Sequence, residues 1–319
     1  MARWNRSLTW LAAMILMLVT ASGTSNADPP AATSHANESA SDLFVPRRHQ
    51  FDLELSNISG IVDNSSLIRR REASIAGSAL HFGPDLGVGT MQIPEVTATW
   101  WVTALDSVQF QFRYFALYGG SHLDQPITFN GDVIAPGQDI STSGTQWFTA
   151  GFYYQRRITP LIEPFQAALP SVLRNWDLRP LIGLEFVYLD FKINGGHPSL
   201  LSGTLDARGR WHDQELPVPT IGLDARHWLG NDFVLQITAQ GNWINKWNSL
   251  RTQGGTVYLS QSSFEDHWRV YWLTPALRGF RPFLGFTFYY YKQTETSREI
   301  GNLARLMTYG PELGASYSF

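Results

Sequence analysis

The stretch EVTATWWVTALDSVQFQFRYFALY, residues 95–118, alternates apolar and polar side chains on both sides of a short turn at 105–107. Successive side chains of a β-strand point to opposite faces, so this pattern predicts a hairpin with one apolar and one polar face. A one-residue slip would exchange the two faces, so the register is well specified. The predicted apolar face carries Val96, Ala98, Trp100, Val102 and Ala104, then Val108, Phe110, Phe112, Tyr114, Ala116 and Tyr118.

The same alternation recurs along the chain after this hairpin. The segments run about 10–15 residues, whereas strands of globular proteins average about 5–6 residues and tilted membrane-spanning strands need roughly 9–11. A soluble β-sandwich also alternates, but its outer face carries more charge than the Thr, Gln, Gly and Tyr found here. The segments therefore predict an all-β fold, a transmembrane antiparallel up-and-down β-barrel. They lie within 148–155, 182–188, 220–226, 233–243, 264–272, 284–291 and 312–319.

The number of strands depends on the region before residue 95. A further strand beginning near Phe51 brings the total to about ten, an even number that returns both termini to one side of the membrane. The segment 73–88 is ambiguous, because it fits either a longer first hairpin or an additional one. Strand counts of eight and twelve therefore remain alternatives to ten.

Composition and the N-terminus fit this class. Charged residues make up 16% of the chain, against about 25% in ordinary soluble domains, and aromatic residues make up 13%. With a net charge of −3 and no Cys, the chain offers neither a nucleic-acid surface nor Cys-ligated metal or disulfide sites. Residues 1–27 match a signal peptide, with Arg3 and Arg6 before an apolar core. We expect 28–49 to form a disordered periplasmic leader and 50–319 to form the barrel.

The last residues of the chain repeat the alternation and end on an aromatic side chain. Leu313, Ala315, Tyr317 and Phe319 share one face of the final segment. This pattern resembles the C-terminal assembly signal of bacterial outer-membrane β-barrel proteins. The resemblance implies an outer-membrane location, with the barrel assembly machinery as a partner during biogenesis and outer-membrane lipid and lipopolysaccharide as surroundings.

Loop lengths predict an orientation. Short connections at 105–107, 230–232 and 274–281 alternate with long polar loops, and outer-membrane barrels keep their short turns on the periplasmic side. Both termini are therefore expected in the periplasm. The connection 158–179 is long although it falls on that side, and we expect part of it to form an amphipathic helix near the periplasmic mouth. The long loops are 120–144, 194–215, 248–255 and 294–302.

Charged side chains recur on the polar faces, which point into the lumen of a barrel. In the first interpretation they pair with one another and give the protein a structural role. In the second they line a narrow porin-like channel for small polar solutes or ions. The predicted lumenal charges are Glu54, Glu95, Arg113, Glu185, Asp224, Arg226, Glu265, His267, Arg269 and Glu312.

Two further functions are alternatives. Loops 120–144 and 194–215 are long enough to form a surface for binding or adhesion. His197-Pro198-Ser199 matches the bare His-x-Ser tripeptide of outer-membrane lipid hydrolases, but Leu200 stands where those enzymes have Asn. The sequence predicts no catalytic residue, metal site or cofactor, since the eight His residues are scattered and no metal-binding motif occurs.

Overall fold

The computed structural model describes most of the chain beyond residue 45. The predicted signal peptide, leader residues 28–45 and the His197–Ser199 motif lie outside the described residues. Those described are 46–70, 76–129, 132–162, 176–195, 210–213, 217–230, 232–250, 256–273, 277, 279–296 and 302–319.

Ten long strands form the wall of the barrel. Each strand is antiparallel to its neighbours and follows the chain order with no crossover. The wall strands are β1 (Phe51–Val62), β4 (Thr90–Trp101), β5 (Asp106–Phe115), β10 (Gln146–Arg156), β11 (Trp176–Lys192), β14 (Val218–Trp228), β15 (Phe233–Leu250), β16 (Thr256–Trp272), β17 (Phe280–Thr296) and β18 (Asn302–Ser318).

The first and last strands close the barrel. β1 pairs with β18 from Asp52↔Ser318 to Val62↔Thr308. The prediction of an antiparallel barrel with ten strands is therefore confirmed, and the alternatives of eight and twelve are not realised. The described part of the ambiguous segment 73–88 adds no wall strand. Its short strand β3 (Leu80–His81) pairs with β2 (Leu67–Arg69) at the end of the barrel that carries the long loops, which we call the loop end.

Outward-facing side chains give the wall an apolar exterior. Ile221, Leu284, Leu313 and Trp243 are between 62% and 76% exposed, which a soluble barrel would not sustain over its whole circumference. The exterior therefore faces lipid, and the strands span a membrane. No helix among the described residues is long and apolar enough to cross one. Exposed aromatic side chains mark the end of the barrel at which β1 begins and β18 ends, which we call the terminal end: Trp100, Tyr154, Phe233, Trp272, Phe280, Tyr317 and Phe319.

The long loops at the loop end contain short paired strands. The predicted loop 120–144 contains the four short strands β6 to β9; β6 and β9 pair with β12 in the order β12-β9-β6, and β7 and β8 form a hairpin. β13 pairs with β11. The short strands are β6 (Gly120–His122), β7 (Ile127–Phe129), β8 (Asp132–Ile134), β9 (Asp139–Ser141), β12 (Asn194–Gly195) and β13 (Arg210–Asp213).

Connections at the opposite, terminal end are short except for one. The predicted helical segment 158–179 begins with the four-residue helix α1 (Thr159–Ile162), and 163–175 lie outside the described residues. At its far end, Asp177 and Arg179 already belong to β11. Part of that predicted connection is therefore wall strand.

Candidate functional site: the charged lumen

Strand register brings two chain-distant pairs of charges to the middle of the lumen. Glu95 of β4 lies directly opposite Arg113 of β5. On the other side, Arg269 of β16 and Glu312 of β18 both face Gly285 of β17. Since Gly285 has no side chain, Arg269 extends across β17 to reach Glu312. A Cβ at position 285 would lie 3.0 Å from Cγ of Arg269.

Arg113 is one of two guanidinium groups at the centre of this site. Its Nε donates to Oε2 of Glu95 at 2.8 Å, and its Nη1 is bonded to Oε2 of Glu265. The guanidinium carbon lies 5.5 Å from the ring centroid of Tyr289. Because Arg113 is 2% exposed, these carboxylates replace water as its partners.

Arg269 is the second guanidinium group and joins several carboxylates. Its Nη2 donates to Oε1 of Glu312 at 2.6 Å and to Oε1 of Glu95 at 3.0 Å. Its Nη1 donates to Oε1 of Glu54 at 2.7 Å, and its Nε to Oε2 of Glu312 at 3.0 Å. Glu95 therefore touches both arginines and links them. We call Glu54, Glu95, Arg113, Glu265, His267, Arg269 and Glu312 the central network.

His267 lies inside the central network. Its Nδ1 is 3.1 Å from Oε2 of Glu312 and 3.1 Å from Oγ1 of Thr287. Glu95, His267 and Glu312 each offer one atom that could bind a metal ion, and these three atoms lie within 4.8 Å of one another. Arg269 already places Nη2 within hydrogen-bonding distance of all three residues. Its guanidinium therefore supplies the positive charge at this point.

The remaining predicted charges lie outside the central network. Glu185 accepts from Asn242 at 3.4 Å and from the hydroxyl of Tyr153 at 3.4 Å. Asp224 and Arg226 pair on one strand with two N–O distances of 3.0 Å. Glu185 reaches the central network through polar groups, since Gln240 contacts both Tyr153 and Glu265.

A small polar cavity adjoins the central network on the side of the termini. Its volume is about 60 Å³, which exceeds the roughly 10–15 Å³ that a cavity needs in order to hold one water molecule. The lining includes Gln111, Gln236, Thr238, Gln240 and Arg269. Oε1 of Gln236 is buried and has no hydrogen-bond partner among the described residues.

Apolar side chains fill the lumen at the loop end. Residues from the loops that follow β1 and β5 pack against inward-facing residues of the wall. We call this group the loop-end cluster. Phe82, Phe115, Trp147, Phe191 and Tyr291 are all 0% exposed. Further members are Ile68, Leu80, Leu86, Val88, Leu117, Leu123, Ile127, Phe129, Ile134, Ile140, Val187, Leu189, Tyr289 and Leu306.

The terminal end of the lumen is packed as well. Val234, Tyr271, Leu273 and Phe283 form an apolar cluster there. Arg179 is 0% exposed, and its guanidinium carbon lies 5.0 Å from the ring centroid of Trp101. Asp177 accepts from Nη2 of Arg179 at 2.6 Å and from Nε of Arg157 at 2.7 Å. The sequence interpretation missed the ion pairs of Asp177 with Arg157 and Arg179, because it assigned Arg179 to a loop. The alternation Asp177, Arg179, Leu181 was the available signal.

The predicted assembly signal lies on the outer face of β18. Leu313, Tyr317 and Phe319 are 67%, 40% and 52% exposed, and Ala315 is partly exposed. Phe319 donates its backbone N–H to the carbonyl of Phe51 at 2.8 Å. The terminal residue therefore contributes to the junction of the first and last strands.

Comparisons with known proteins found relatives of the fold but not of the sequence. No family model matches the chain, and no curated protein matches it. Several solved barrels are similar in structure. The outer membrane protease OmpT from Escherichia coli is 13% identical, with a TM-score of 0.46, covering 85% of this chain and 97% of its own.

Two other barrels are less similar. The translocator domain of the autotransporter NalP from Neisseria meningitidis is 10% identical, with a TM-score of 0.35 and coverages of 88% and 92%. The outer membrane protein OprG from Pseudomonas aeruginosa is 9% identical, with a TM-score of 0.24 and coverages of 86% and 98%. This chain has the architecture of a bacterial outer-membrane β-barrel. That assignment rests on its own closed strand pairing and apolar exterior.

Proposed function

We propose that the protein is a closed outer-membrane barrel with periplasmic termini, whose charged lumen has a structural role. The observation that carries this proposal is the packing of the lumen at three levels. Apolar clusters fill both ends, and the central network between them consists of charges that bind one another. A wide aqueous pore needs water-facing side chains along its whole length.

Mutual pairing explains why the lumenal charges are tolerated. An unpaired charge removed from water costs several kcal/mol, whereas Glu95 and Glu312 each contact at least one guanidinium nitrogen within 3.0 Å. Such a network ties β1, β4, β5, β16 and β18 together from inside the barrel. The network therefore acts as the polar core of a protein whose apolar surface faces outward.

Conductance of the refolded full chain in a planar lipid bilayer tests this proposal. The wild-type protein should give no discrete conductance steps. The double variant W147A/F191A, which removes two large side chains from the loop-end cluster, should give discrete conductance steps. A matched control is the loss of two lipid-facing side chains in W243A/L313A. Stable steps from the wild-type protein would refute the closed barrel.

A narrow channel for small polar solutes or ions is the second candidate. The specific observation in its favour is the polar cavity, in which Gln236 keeps an unpartnered oxygen next to Gln111 and Gln240. Passage would require the loop-end cluster to move. In that case R269E should change the ion preference of the conductance, whereas in a closed barrel it would only lower stability. Binding by the folded loop end stays a prediction.

A further inference from the structure

Two cations face each other on the outer wall near the loop end. Lys292 of β17 lies directly opposite Arg305 of β18. Their sequence neighbours Tyr291, Ala304 and Leu306 are 0% exposed and point into the lumen, so Lys292 and Arg305 point outward. Lys292 is exposed and Arg305 is partly exposed. We call Lys292 and Arg305 the cationic pair.

The cationic pair is unfavourable by itself. Side chains directly opposite on one face of an antiparallel sheet have Cβ atoms about 4.5–5.5 Å apart, and like charges at that spacing destabilise the pairing. Arg69 adds a third cation on the neighbouring strand β2, because Leu303 faces Arg69 two residues before Arg305. An anion that contacts both members of the pair would turn this repulsion into attraction.

Among the described residues, Asp63 is an acid near the cationic pair. It interacts electrostatically with Arg305, but its carboxylate is also hydrogen-bonded to Ser65, whose backbone N–H lies 2.7 Å from Oδ1. Hydrogen bonds from Ser65 hold the pKa of Asp63 below its ordinary value, so this group is ionised. Arg305 donates its Nε to the carbonyl of Ser65 at 2.7 Å. Asp63 therefore offsets only part of the positive charge of the cationic pair.

The height of the cationic pair on the wall points to a particular anion. From Phe280, in the aromatic belt at the terminal end, to Lys292 the strand advances by roughly 40 Å, or roughly 30 Å along the membrane normal at a tilt of about 40°. The apolar band of such barrels is about 25 Å tall. The cationic pair therefore lies at the opposite membrane interface, where lipid headgroups begin.

The surface between the cationic pair and the membrane interior suits acyl chains. The outward-facing residues one row nearer the terminal end are Phe264, Tyr290 and Met307. Trp243, which is 76% exposed, lies in the same register row as Lys292 two strands away, through Ser262. An anionic lipid can thus place its phosphate against the cations and its chains against apolar side chains.

We propose that the outer face of β17 and β18 binds the phosphate of an anionic lipid headgroup at the loop-end leaflet, through Lys292 and Arg305 with Arg69 beside them. This site rests on the proposed membrane location but not on whether the lumen is closed. Lipid binding and bilayer conductance therefore test the two proposals separately.

The experiment measures binding of bis-phosphorylated lipid A to the refolded full chain in neutral detergent, by native mass spectrometry. K292A/R305A should weaken binding by about tenfold or more, because two charge-assisted contacts are lost. The control R156A/D106A removes one exposed ion pair at the terminal end and should leave the affinity within about twofold. Wild-type protein should bind lipid A with its phosphates removed at least about tenfold more weakly.

Three results would overturn the proposal. Equal binding of phosphorylated and dephosphorylated lipid A by the wild-type protein would mean that the apolar wall alone retains lipid. Unchanged affinity in K292A/R305A would place the phosphate elsewhere. Full displacement of lipid A by inorganic phosphate at equal concentration would indicate a site for the free ion. If K292A/R305A does not fold, the milder K292Q and R305Q single variants take its place, and the wild-type comparison needs no variant.

Discussion

Arg113 and Glu95 face each other in direct register across β4 and β5, and Nε of Arg113 donates to Oε2 of Glu95 at 2.8 Å. Both side chains are about 2% exposed. Arg113 also reaches across the lumen to Glu265 of β16. Arg113 therefore links β5 to the neighbouring strand β4 and to the distant strand β16. We expect the stability of the barrel to depend on these contacts.

Replacing Arg113 by Leu should destabilise the barrel strongly. Glu95 and Glu265 would lose a buried counter-charge, and breaking one partner of a buried pair costs about 3–5 kcal/mol. Urea unfolding of the refolded protein in lipid vesicles measures the change. Arg156→Leu is the control, because Arg156 is 46% exposed in its side chain and its pair with Asp106 is solvent-accessible. Equal midpoints for the two variants would contradict a stabilising role of the central network.

Gly285→Val should separate Arg269 from Glu312. A Cβ at position 285 would lie 2.7 Å from the carbonyl oxygen of Trp268 and 3.0 Å from Cγ of Arg269, and overpacking of this kind costs about 1–3 kcal/mol. Unfolding in urea again provides the measurement. Gly89→Ala is the matched control, since a Cβ there meets nothing within 4 Å. A neutral Gly285→Val would show that Arg269 does not need the gap.

Phe319→Ala should reduce assembly of the barrel in cells more than its surface position suggests. Phe319 lies at the β1–β18 junction, with its ring centroid 5.8 Å from that of Phe51, and it ends the predicted assembly signal. Phe280→Ala removes an aromatic side chain of similar exposure, 41% against 52%, from the same end of the barrel. The heat-resistant folded fraction in outer membranes should fall several-fold for the first variant only. Equal losses would assign Phe319 to lipid anchoring alone.

The absence of native cysteine permits a direct test of lumen closure. A single cysteine in Thr287→Cys, at a position that is 3% exposed and contacts Glu312 of the central network, should react slowly with a charged, water-soluble thiol reagent. Ser121→Cys, at a position in β6 at the loop end, should react fast and provides the reference. Labelling rates followed by mass shift give the comparison. Comparable rates would show that bulk water reaches the central network.

The sequence by itself determined the barrel, because the two-residue period of a strand is local. Alternation in residues 95–118 gives each side chain a face, and segment length indicates a membrane-spanning strand. The same period separates the lumenal charges from the lipid-facing residues. None of this requires knowledge of which strands are neighbours.

Only the tertiary structure decided which lumenal residues meet. The stagger between strands sets the level of each charge, so Arg269 could be matched with Glu54, Glu95 and Glu312 only after closure of β1 on β18. The same holds for Gly285, whose missing side chain matters only between two longer ones. The loop-end cluster depends on contacts between loops and wall that no local period encodes. The sequence did not decide whether the lumen is open or filled. The contacts that fill it join residues that are far apart in the chain.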